Sequence, residues 1–487
     1  MTRPAPAVGI DLGTTFSVVA HIDAIGQPRT ILNSEGDATL PSAVMFDREN
    51  VIVGKEALRA AAQDPDLVVR FAKREMGNKH YSRQIAGRSD WSPEMIQSFI
   101  LQRLKDDAEK VIGPFSQAVI TVPAYFNDSR RQATEECAKL ANIDVLDIMN
   151  EPSAAALAYM HNRPESQNKL ETILVYDLGG GTFDVTVVEV AGDRFKTLAT
   201  NGNVTLGGYD WDQAIVKHIC DEYSREHRGI DPSQNAGMLQ RLLQQSEDIK
   251  RSLSQKSEAK VFLDPPYQFR MNLTRDKFEE LTEDLVARTR WLTEDVRKAA
   301  NKQWSEIDTV LLVGGSGRMP MIKRMLEQLT AKPVTESISK DECVAWGAAL
   351  YAKAILDRRA GKSTLTVENV NSHSLGVPVA DKDTGNRRLS VILPANQRLP
   401  AEGKRKYGIN RVTPTLRIQV FEGGDLNCKN GYVGEVVVRP VKPLESGERV
   451  EITFRYDPNG RLRVMVHRIS TDERWDQELD RSQVAST

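Results

Sequence analysis

The chain has 487 residues, 40% of them hydrophobic and 27% charged, with a formal net charge of −2. That balance excludes a disordered chain and a protein that holds nucleic acid by bulk charge. At roughly 150 residues per folding unit, the length calls for several domains. No apolar run approaches the roughly 18–20 residues of a membrane span, and Met1 to Val8 lacks the apolar centre of a secretory signal. A cytoplasmic chain without membrane association is expected. Cys137, Cys220, Cys343 and Cys428 stand far apart with no CxxC pair, the pattern of reduced, mostly buried thiols. The 7 histidines include no HExxH pair, so a protein-only zinc site has no support.

From Val8 to about Arg359, apolar runs of strand length alternate with longer stretches of helical period, the pattern of α/β layers. Strands are predicted at Ala118–Val122, Thr172–Tyr176, Val185–Val190 and Thr309–Val313, each followed by Gly, Pro, Asn or Asp. Helices are predicted at Ser92–Val111, Asp128–Ala141, Trp211–Glu222, Met238–Ser254, Asp276–Ala300 and Met319–Gln328. After about Gly361 the texture changes to short alternating stretches, Leu389–Leu393, Leu416–Val420 and Arg461–Val466, which read as antiparallel strands with one solvated face. Gly361-Lys362-Ser363-Thr364, between the blocks, is small and polar, like a linker.

An internal echo carries the chemistry. Gly9-Ile10-Asp11-Leu12-Gly13-Thr14-Thr15 is an apolar strand ending in an acid, a glycine and two hydroxyls, and Val175-Tyr176-Asp177-Leu178-Gly179-Gly180-Gly181-Thr182 repeats it. Glycines let a turn bring its backbone N–H groups against phosphate oxygens, and a threonine hydroxyl adds a donor. Two such turns facing each other would clamp a polyphosphate. Asp11 and Asp177 would repel the phosphates directly, but suit a hydrated Mg2+ that bridges them. One copy alone reads equally well as a strand terminus; the pair points to the clamp. Thr182-Phe183-Asp184-Val185-Thr186 reads as the return strand, with Asp184 near the metal or the attacking water.

Two other features are set aside. Ala360-Gly361-Lys362-Ser363 ends like a Walker A loop, but that pattern needs a glycine where Leu356 stands, which excludes a P-loop. Arg398, Lys404, Arg405, Lys406 and Arg411 read as solvated charges on a sheet edge. From Gly361 to Thr487 there are 20 Lys and Arg against 16 Asp and Glu, an excess too small to carry nucleic-acid binding.

Read together, Ile10–Thr15, Val122-Pro123-Ala124-Tyr125-Phe126-Asn127-Asp128, Asn150-Glu151-Pro152-Ser153-Ala154-Ala155-Ala156, Asp177–Asp184, Leu206-Gly207-Gly208 and Val313-Gly314-Gly315-Ser316 resemble the ATPase domain of the heat-shock protein 70 (DnaK-type) chaperone family in order and spacing. Sugar kinases and actins share the fold and the phosphate turns, but not the Tyr-Phe-Asn-Asp and Glu-Pro-x-Ala-Ala-Ala stretches. The resemblance implies an actin-like (ribonuclease H-like) two-lobed α/β ATPase domain over residues 1–359. A linker at 360–370 and a small antiparallel β-sandwich over 371–487, which grips extended peptide, would follow. It also implies ATP/ADP and Mg2+ as cofactors and unfolded polypeptide as client. J-domain co-chaperones and nucleotide exchange factors would be partners, with no nucleic acid and no membrane.

Family roles follow where motifs match. Asp11 and Asp177 would hold the water shell of Mg2+, with Thr14 and Thr15 on the terminal phosphates and Gly13, Gly179, Gly180, Gly181, Gly207 and Gly208 in the phosphate turns. Lys73, in Phe71-Ala72-Lys73-Arg74, matches the lysine that neutralises charge on the transferred phosphoryl group. Read alone it would face solvent. Glu151, Asp177, Thr182 and Asp184 would position or polarise the attacking water, although Glu151 by itself also reads as a helix N-terminal acid beside Pro152. Glu247, Lys250, Arg251 and Ser254 fall on one helical face and match the residues that contact adenosine; otherwise they read as an exposed ion-pair stripe. Gly314, Gly315, Ser316 and Arg318 would enclose the purine, with Asp341 nearby. Pro123 and Arg131 match residues that relay nucleotide state to the partner domain. In the β block, Val377, Ala380, Leu416 and Ile418 align with a peptide groove and Ile409 with its arch, positions that core packing explains equally well.

The chain also departs from the family. Lys362-Ser363-Thr364-Leu365-Thr366-Val367-Glu368 stands where the family has a short acidic, leucine-rich linker, so the coupling signal is degraded. The β block ends near Trp475-Asp476-Gln477-Glu478-Leu479, leaving no sequence for a helical lid, and weak peptide retention is expected. Gly77 to Trp91 is shorter than its counterpart, removing contacts used by exchange factors. Phe16 replaces a commonly polar residue beside the first phosphate turn. The favoured reading is a slow ATP-hydrolysing chaperone. The alternatives are a nucleotide-gated scaffold that does little refolding and a small-molecule kinase on the same fold, for which no acceptor pocket is visible in the sequence.

Overall fold

A computed structural model describes residues 6–47, 50–78, 80–81, 83–85, 87–88, 90–163, 169–263, 265–337, 339–380, 386–423, 431–457 and 461–479. Cys428, expected to be a reduced thiol, lies outside the described residues, as do Lys79, Ser82, Ala86 and Ser89 of the Gly77–Trp91 segment. Cys137, Cys220 and Cys343 are buried free thiols. No helix among the described residues is long and apolar enough to cross a membrane. The backbone divides into two compact units. The first takes the residues up to Phe126, Arg130–Phe195 and Thr200–Val367; the second takes Asn127–Ser129, Lys196–Ala199 and the residues from Glu368 onward.

Two sheets organise the first unit. One runs through β1 (Ala7–Asp11), β2 (Phe16–Ile22), β3 (Pro28–Thr30), β4 (Gln117–Val122) and β5 (Asp144–Asn150), in the order β3-β2-β1-β4-β5. The other uses β6 (Glu171–Leu178), β7 (Phe183–Ala191), β8 (Arg194–Asn203), β9 (Thr309–Val313) and β10 (Val334–Glu336), in the order β10-β9-β6-β7-β8. Counted from the first strand of each set, the two orders are the same, so the echo read in the sequence extends to sheet topology. In each set an antiparallel hairpin, β1-β2 or β6-β7, is followed by a parallel neighbour on the first strand, β4 or β9. A central strand is covered on both faces, which is why Glu171–Leu178 is buried along its whole length and its middle, Ile173–Tyr176, is apolar without alternation.

The helices α1 (Pro93–Ile112), α2 (Asp128–Leu140), α3 (Glu151–His161), α4 (Gly208–Glu226) and α5 (Ala236–Leu253) match predicted or motif-bearing segments to within a few residues. Their starts have local causes. Ser92 caps α1 by accepting from the Met95 N–H at 3.2 Å, with Pro93 in the first turn, and Asn235 caps α5 by accepting from the Met238 N–H at 2.8 Å. The single helix predicted over Asp276–Ala300 is corrected to two, α6 (Arg275–Leu281) and α7 (Glu283–Ala299). The break is Thr282, whose φ of −120° departs from helical backbone and whose N–H turns to the Glu279 carbonyl, three residues back, at 3.3 Å. Two further helices, α8 (Pro320–Thr330) and α9 (Cys343–Arg359), complete this set. α9 approaches both β1 and α3 through small residues. A Cβ on Gly9 would lie 2.1 Å from the Ala349 nitrogen, and one on Gly347 would lie 1.9 Å from the Ala154 carbonyl oxygen.

In the second unit two antiparallel sheets share one core. The first contains β11 (Leu375–Ala380), β12 (Arg387–Leu393), β14 (Leu416–Glu422) and β15 (Tyr432–Val438); the second contains β13 (Ala401–Gly408), β16 (Arg449–Tyr456), β17 (Leu462–Arg468) and β18 (Glu473–Glu478). Leu375, Val377, Ile418, Val420 and Val436 from one face meet Val450, Ile452, Phe454, Val464 and Val466 from the other, the inward half of each alternating strand. Arg468, at the end of β17, is only 5% exposed. Its guanidinium donates to Glu448 Oε2 at 2.7 Å, Glu473 Oε2 at 3.1 Å, and the carbonyls of Lys442 at 2.9 Å and Pro443 at 3.2 Å. These bonds tie the Lys442–Glu448 turn to the sheet.

Removing this clasp has a stated direction. The Ser470 hydroxyl and the Arg468 guanidinium hold the Glu448 carboxyl at about 2, well below its ordinary 4.5. A depressed folded-state value contributes stability that is complete above pH 4.5 and disappears as pH falls toward 2. Arg468→Met should lower the urea midpoint of the second unit's transition at neutral pH, and unmodified protein should lose the same stability across that acid window. An unchanged midpoint at neutral pH would count against the clasp.

Candidate functional site

The two acid-and-glycine turns meet. A Cβ added to Gly180 would stand 2.0 Å from Thr15 Oγ1, and one added to Gly181 would stand 2.3 Å from Thr14 Cγ2. Each turn is also locked internally. In the first, Ser42 Oγ donates to the Gly13 carbonyl at 2.9 Å and the Gly13 N–H donates to Ser17 Oγ at 3.1 Å. In the second, the Gly179 N–H donates to the Thr182 carbonyl at 3.0 Å, while Gly208 and Tyr209 donate to the carbonyls of Gly179 and Gly180 at 3.0 and 2.8 Å. The glycine pair Gly207-Gly208 is thereby fastened to the second turn, and a Cβ on Gly207 would lie 2.5 Å from the Gly181 carbonyl carbon.

The turns open into a cavity of about 570 Å3. Its walls include Asp11, Gly13, Thr14, Thr15, Lys73, Glu151, Asp177, Gly179, Gly180 and Thr182 at one end, and Glu247, Lys250, Arg251, Ser254, Gly314, Gly315, Ser316, Arg318 and Asp341 at the other. Residues drawn from widely separated parts of the sequence thus converge on one space, the expected form of a small-molecule site. Strand registry explains the acids: Asp11 ends β1 opposite Thr121, while Asp177, one residue before the end of β6, stands beside Val313 and opposite Asp184.

Charge at the turn end is unbalanced. Lys73 Nζ donates to Glu151 Oε1 at 2.7 Å, with side chains only 4% and 10% exposed. Around this pair, burial and then the Glu151 charge push the Asp11 carboxyl up to about 7. The same two causes push Asp184 up to about 8. Asp177 is raised by burial, by Glu151, and by Asp184 and Asp11. Four carboxyl groups face one ammonium, so the site favours the arrival of positive charge. Among the described residues, no group of three or more His, Cys, Asp and Glu stands close enough to hold an ion unaided. A divalent cation therefore fits only if water or a ligand's own oxygens supply much of its coordination, as a metal polyphosphate would.

At the far end, Lys250 Nζ lies 2.8 Å from Asp212 Oδ1 and donates to the Gly208 carbonyl at 2.9 Å, so α5 is tied to the start of α4. Burial, opposed by Lys250, raises the Asp212 carboxyl to about 6. Arg251 pairs with Glu247 at 2.6 Å, and its guanidinium stands 5.6 Å from the Phe16 ring. Arg318 makes a two-point pair with Asp341, at 3.0 and 2.7 Å. Two planar guanidinium groups thus border the same end, a setting suited to a flat aromatic ligand. Gly314 needs its left-handed φ of 81°, and a Cβ there would meet the Leu178 carbonyl oxygen at 2.3 Å.

Some predicted residues stand apart from the walls. Asp184 is buried behind the second turn, accepting the Tyr125 N–H at 3.0 Å, and Gly181, Gly207 and Gly208 form backing for the turn. Pro123 and Arg131 flank the start of α2; Arg131 donates to the Phe126 carbonyl at 3.2 Å and to Asn150 Oδ1 at 2.5 Å, one residue before Glu151. Of the peptide-groove residues, Val377, Ile409 and Ile418 are packed in the second unit's core, Leu416 is half-buried against it, and Ala380 is exposed. Wall residues that sequence reasoning missed include Phe71, Tyr209, Asp212 and Lys340. Tyr209 follows Gly208 directly, and Phe71 stands two residues before Lys73, so adjacency to motif residues is the signal the sequence carries.

The sequence matches the family model described as "Hsp70 protein" over residues 7–486. Chaperone protein DnaK of Halobacterium salinarum is 37% identical over 469 residues, covering 94% of this chain and 72% of that protein. Proteins of the same name from Deinococcus proteolyticus and Thermosipho melanesiensis are 36% identical over 500 residues and 37% identical over 478 residues. These alignments cover 96% and 95% of this chain, and 77% and 78% of the relatives.

Contact between the turns makes a specific demand on Gly180. Gly180→Ala should weaken ADP binding by about tenfold or more in a titration with fluorescent ADP, because the methyl group must displace Thr15. Gly408→Ala, whose added Cβ meets nothing within 4 Å, should bind as the parent does. Equal affinity for parent and Gly180→Ala would show that the turns do not grip the ligand.

Proposed function

The chain belongs to the Hsp70 family, and from that premise we propose that it is an ATP-hydrolysing molecular chaperone whose nucleotide state controls its hold on unfolded polypeptide. The observation that carries this reading is the facing of two acid-and-glycine turns across a buried Lys73–Glu151 pair. The repeated strand order of the two sheets supports an actin-like ATPase of two lobes. The two antiparallel sheets beyond Glu368 support a peptide-binding β-sandwich. A cytoplasmic location is part of the same reading.

The polyphosphate is bound by Thr14, Thr15 and the N–H groups of the second glycine turn. Asp11 and Asp177 would hold Mg2+, which when bound would neutralise phosphate charge. Lys73 has three donors, of which Glu151 engages one, so the others are available to the transferred phosphoryl group. Its charge stabilises the developing transition state, and the pairing fixes its position without chemistry at the lysine itself. Glu151, Thr182 and Asp184 orient the attacking water, the main task left to a protein that forms no covalent intermediate. Lys250, Arg251, Glu247 and Ser254 hold adenosine against Gly314, Gly315, Ser316 and Arg318, with Asp341 holding Arg318.

Pro123 and Arg131 report nucleotide state. The Arg131–Asn150 bond, adjacent to Glu151, supports that role because a shift of Glu151 would pull on it. The linker, despite its altered sequence, has anchors within the first unit: the Thr366 N–H donates to the Asp193 carbonyl at 2.8 Å, and Thr364 bonds the Asp193 side chain. J-domain co-chaperones and exchange factors belong to this reading as partners. The burial of Val377, Ile409 and Ile418 favours a second reading, a nucleotide-gated scaffold without an open peptide groove.

Turnover measured with and without an unfolded peptide separates the two. Stimulation is expected for the chaperone, and unresponsive hydrolysis would favour the scaffold. Lys73→Ala should retain ADP binding but lower single-turnover hydrolysis by about a hundredfold or more; undiminished hydrolysis would remove Lys73 from the chemistry. Chelation with EDTA should abolish turnover, and its persistence would rule out the proposed metal.

A further inference from the structure

Phe71 and Tyr209 make a contact that none of these roles uses. Their ring centroids lie 4.3 Å apart, with planes inclined by 46°. Phe71 caps the short turn Ala72–Glu75, which carries Lys73, and does so in a left-handed conformation, φ 61° and ψ 22°, uncommon for a bulky side chain. Tyr209 follows Gly208 in α4, and its N–H is bonded to Gly180. The contact therefore joins the backbone that carries the phosphate lysine to the backbone behind the second phosphate turn.

Charged neighbours brace it on both sides. Arg74 donates to both oxygens of Asp210, at 3.2 and 2.9 Å, and its guanidinium stands 5.2 Å from the Tyr209 ring. Asp210 in turn accepts the Gly207 N–H at 2.8 Å. Arg70 lies 3.9 Å from Glu247, the α5 residue that pairs with Arg251, and 4.8 Å from the Phe71 ring. The strap Arg70–Arg74 is thus fastened to α4 and α5 at three points. Phe71 also lines a second cavity of about 250 Å3, bordered by Phe16, Pro41, Leu58, Arg70 and Arg251. Lining both cavities, it forms part of the partition between them, and it is only partly buried.

We infer that the Phe71–Tyr209 pair is a roof over the phosphate end of the cavity, positioning Lys73 while closed and parting to release nucleotide. The inference rests on the nucleotide reading of the cavity. Closing the roof holds the Lys73 turn against the second phosphate turn; parting it frees the ligand and withdraws the lysine together. Release and chemistry are therefore coupled in opposite directions through one contact. Phe71 and Tyr209 act as positioning residues, since the chemistry runs through Lys73.

Stopped-flow release of fluorescent ADP from the full chain, paired with single-turnover ATP hydrolysis, tests the roof. Phe71→Ala and Tyr209→Ala should each speed release by about tenfold and slow hydrolysis by a similar factor, the scale of an aromatic contact. The double variant should behave as either single one, because both remove the same contact. Tyr209→Phe keeps the ring and should restore both rates to within about twofold of the parent, which a merely destabilised fold would not distinguish. Release should also quicken with salt in the parent, and less so in Arg74→Ala, whose brace is already gone. Unchanged release in both alanine variants, or effects that add in the double variant, would overturn the roof. Failure of the parent to bind fluorescent ADP would instead overturn the nucleotide reading beneath it.

Discussion

Four carboxyl groups share one buried ammonium, and that imbalance is what the rest of the first unit is arranged to sustain. Around the Lys73–Glu151 pair, burial and the neighbouring Glu151 charge raise Asp11, Asp177 and Asp184, so these three carboxyl groups favour protons until a further positive charge arrives. A cluster of this kind is costly to keep for stability alone, since apolar residues of similar volume would pack there more cheaply. Under the proposed function it would be the receiving end of a metal polyphosphate, whose charges would reorganise the cluster instead of being opposed by it.

The scaffold meets that demand by using one plan twice. Each sheet delivers an antiparallel hairpin whose first strand carries an aspartate at or one residue before its end, and a parallel neighbour pairs with that aspartate. Small residues on β1, α3 and α9 let backbones approach where larger side chains would force them apart, as Gly9 and Gly347 indicate. The far end of the cavity is assembled differently, from a helix face on α5 and a glycine turn after β9.

Much of this was legible in the sequence because it depends on local pattern. The strand runs, the duplicated Asp-Leu-Gly, and the four polar residues spaced along Met238–Ser254 all report short-range geometry that residue spacing encodes. Other features depend on what lies opposite. Asp212 reads as one more acid in α4, and only its approach to Lys250 makes it part of the cavity. Phe71 and Tyr209 are separated by more than a hundred residues, and neither carries a local hint that its ring meets the other. Thr282 reads as one more helical residue, and only its backbone, at φ −120°, separates the two helices. In the β unit, alternation marks Val377 and Ile418 as inward-facing but does not distinguish a groove from a core.

Atom-to-atom contact between the glycine turns also sets how this molecule can vary. Thr15 fills the space a side chain at position 180 would need, and Thr14 does the same at 181. Bulk gained on one hairpin must be surrendered on the other, so the two copies of the motif cannot drift separately even though hundreds of ångströms of chain contour divide them. Each repeat has become the mould for its counterpart, and a workable change at this junction has to arrive as a matched pair.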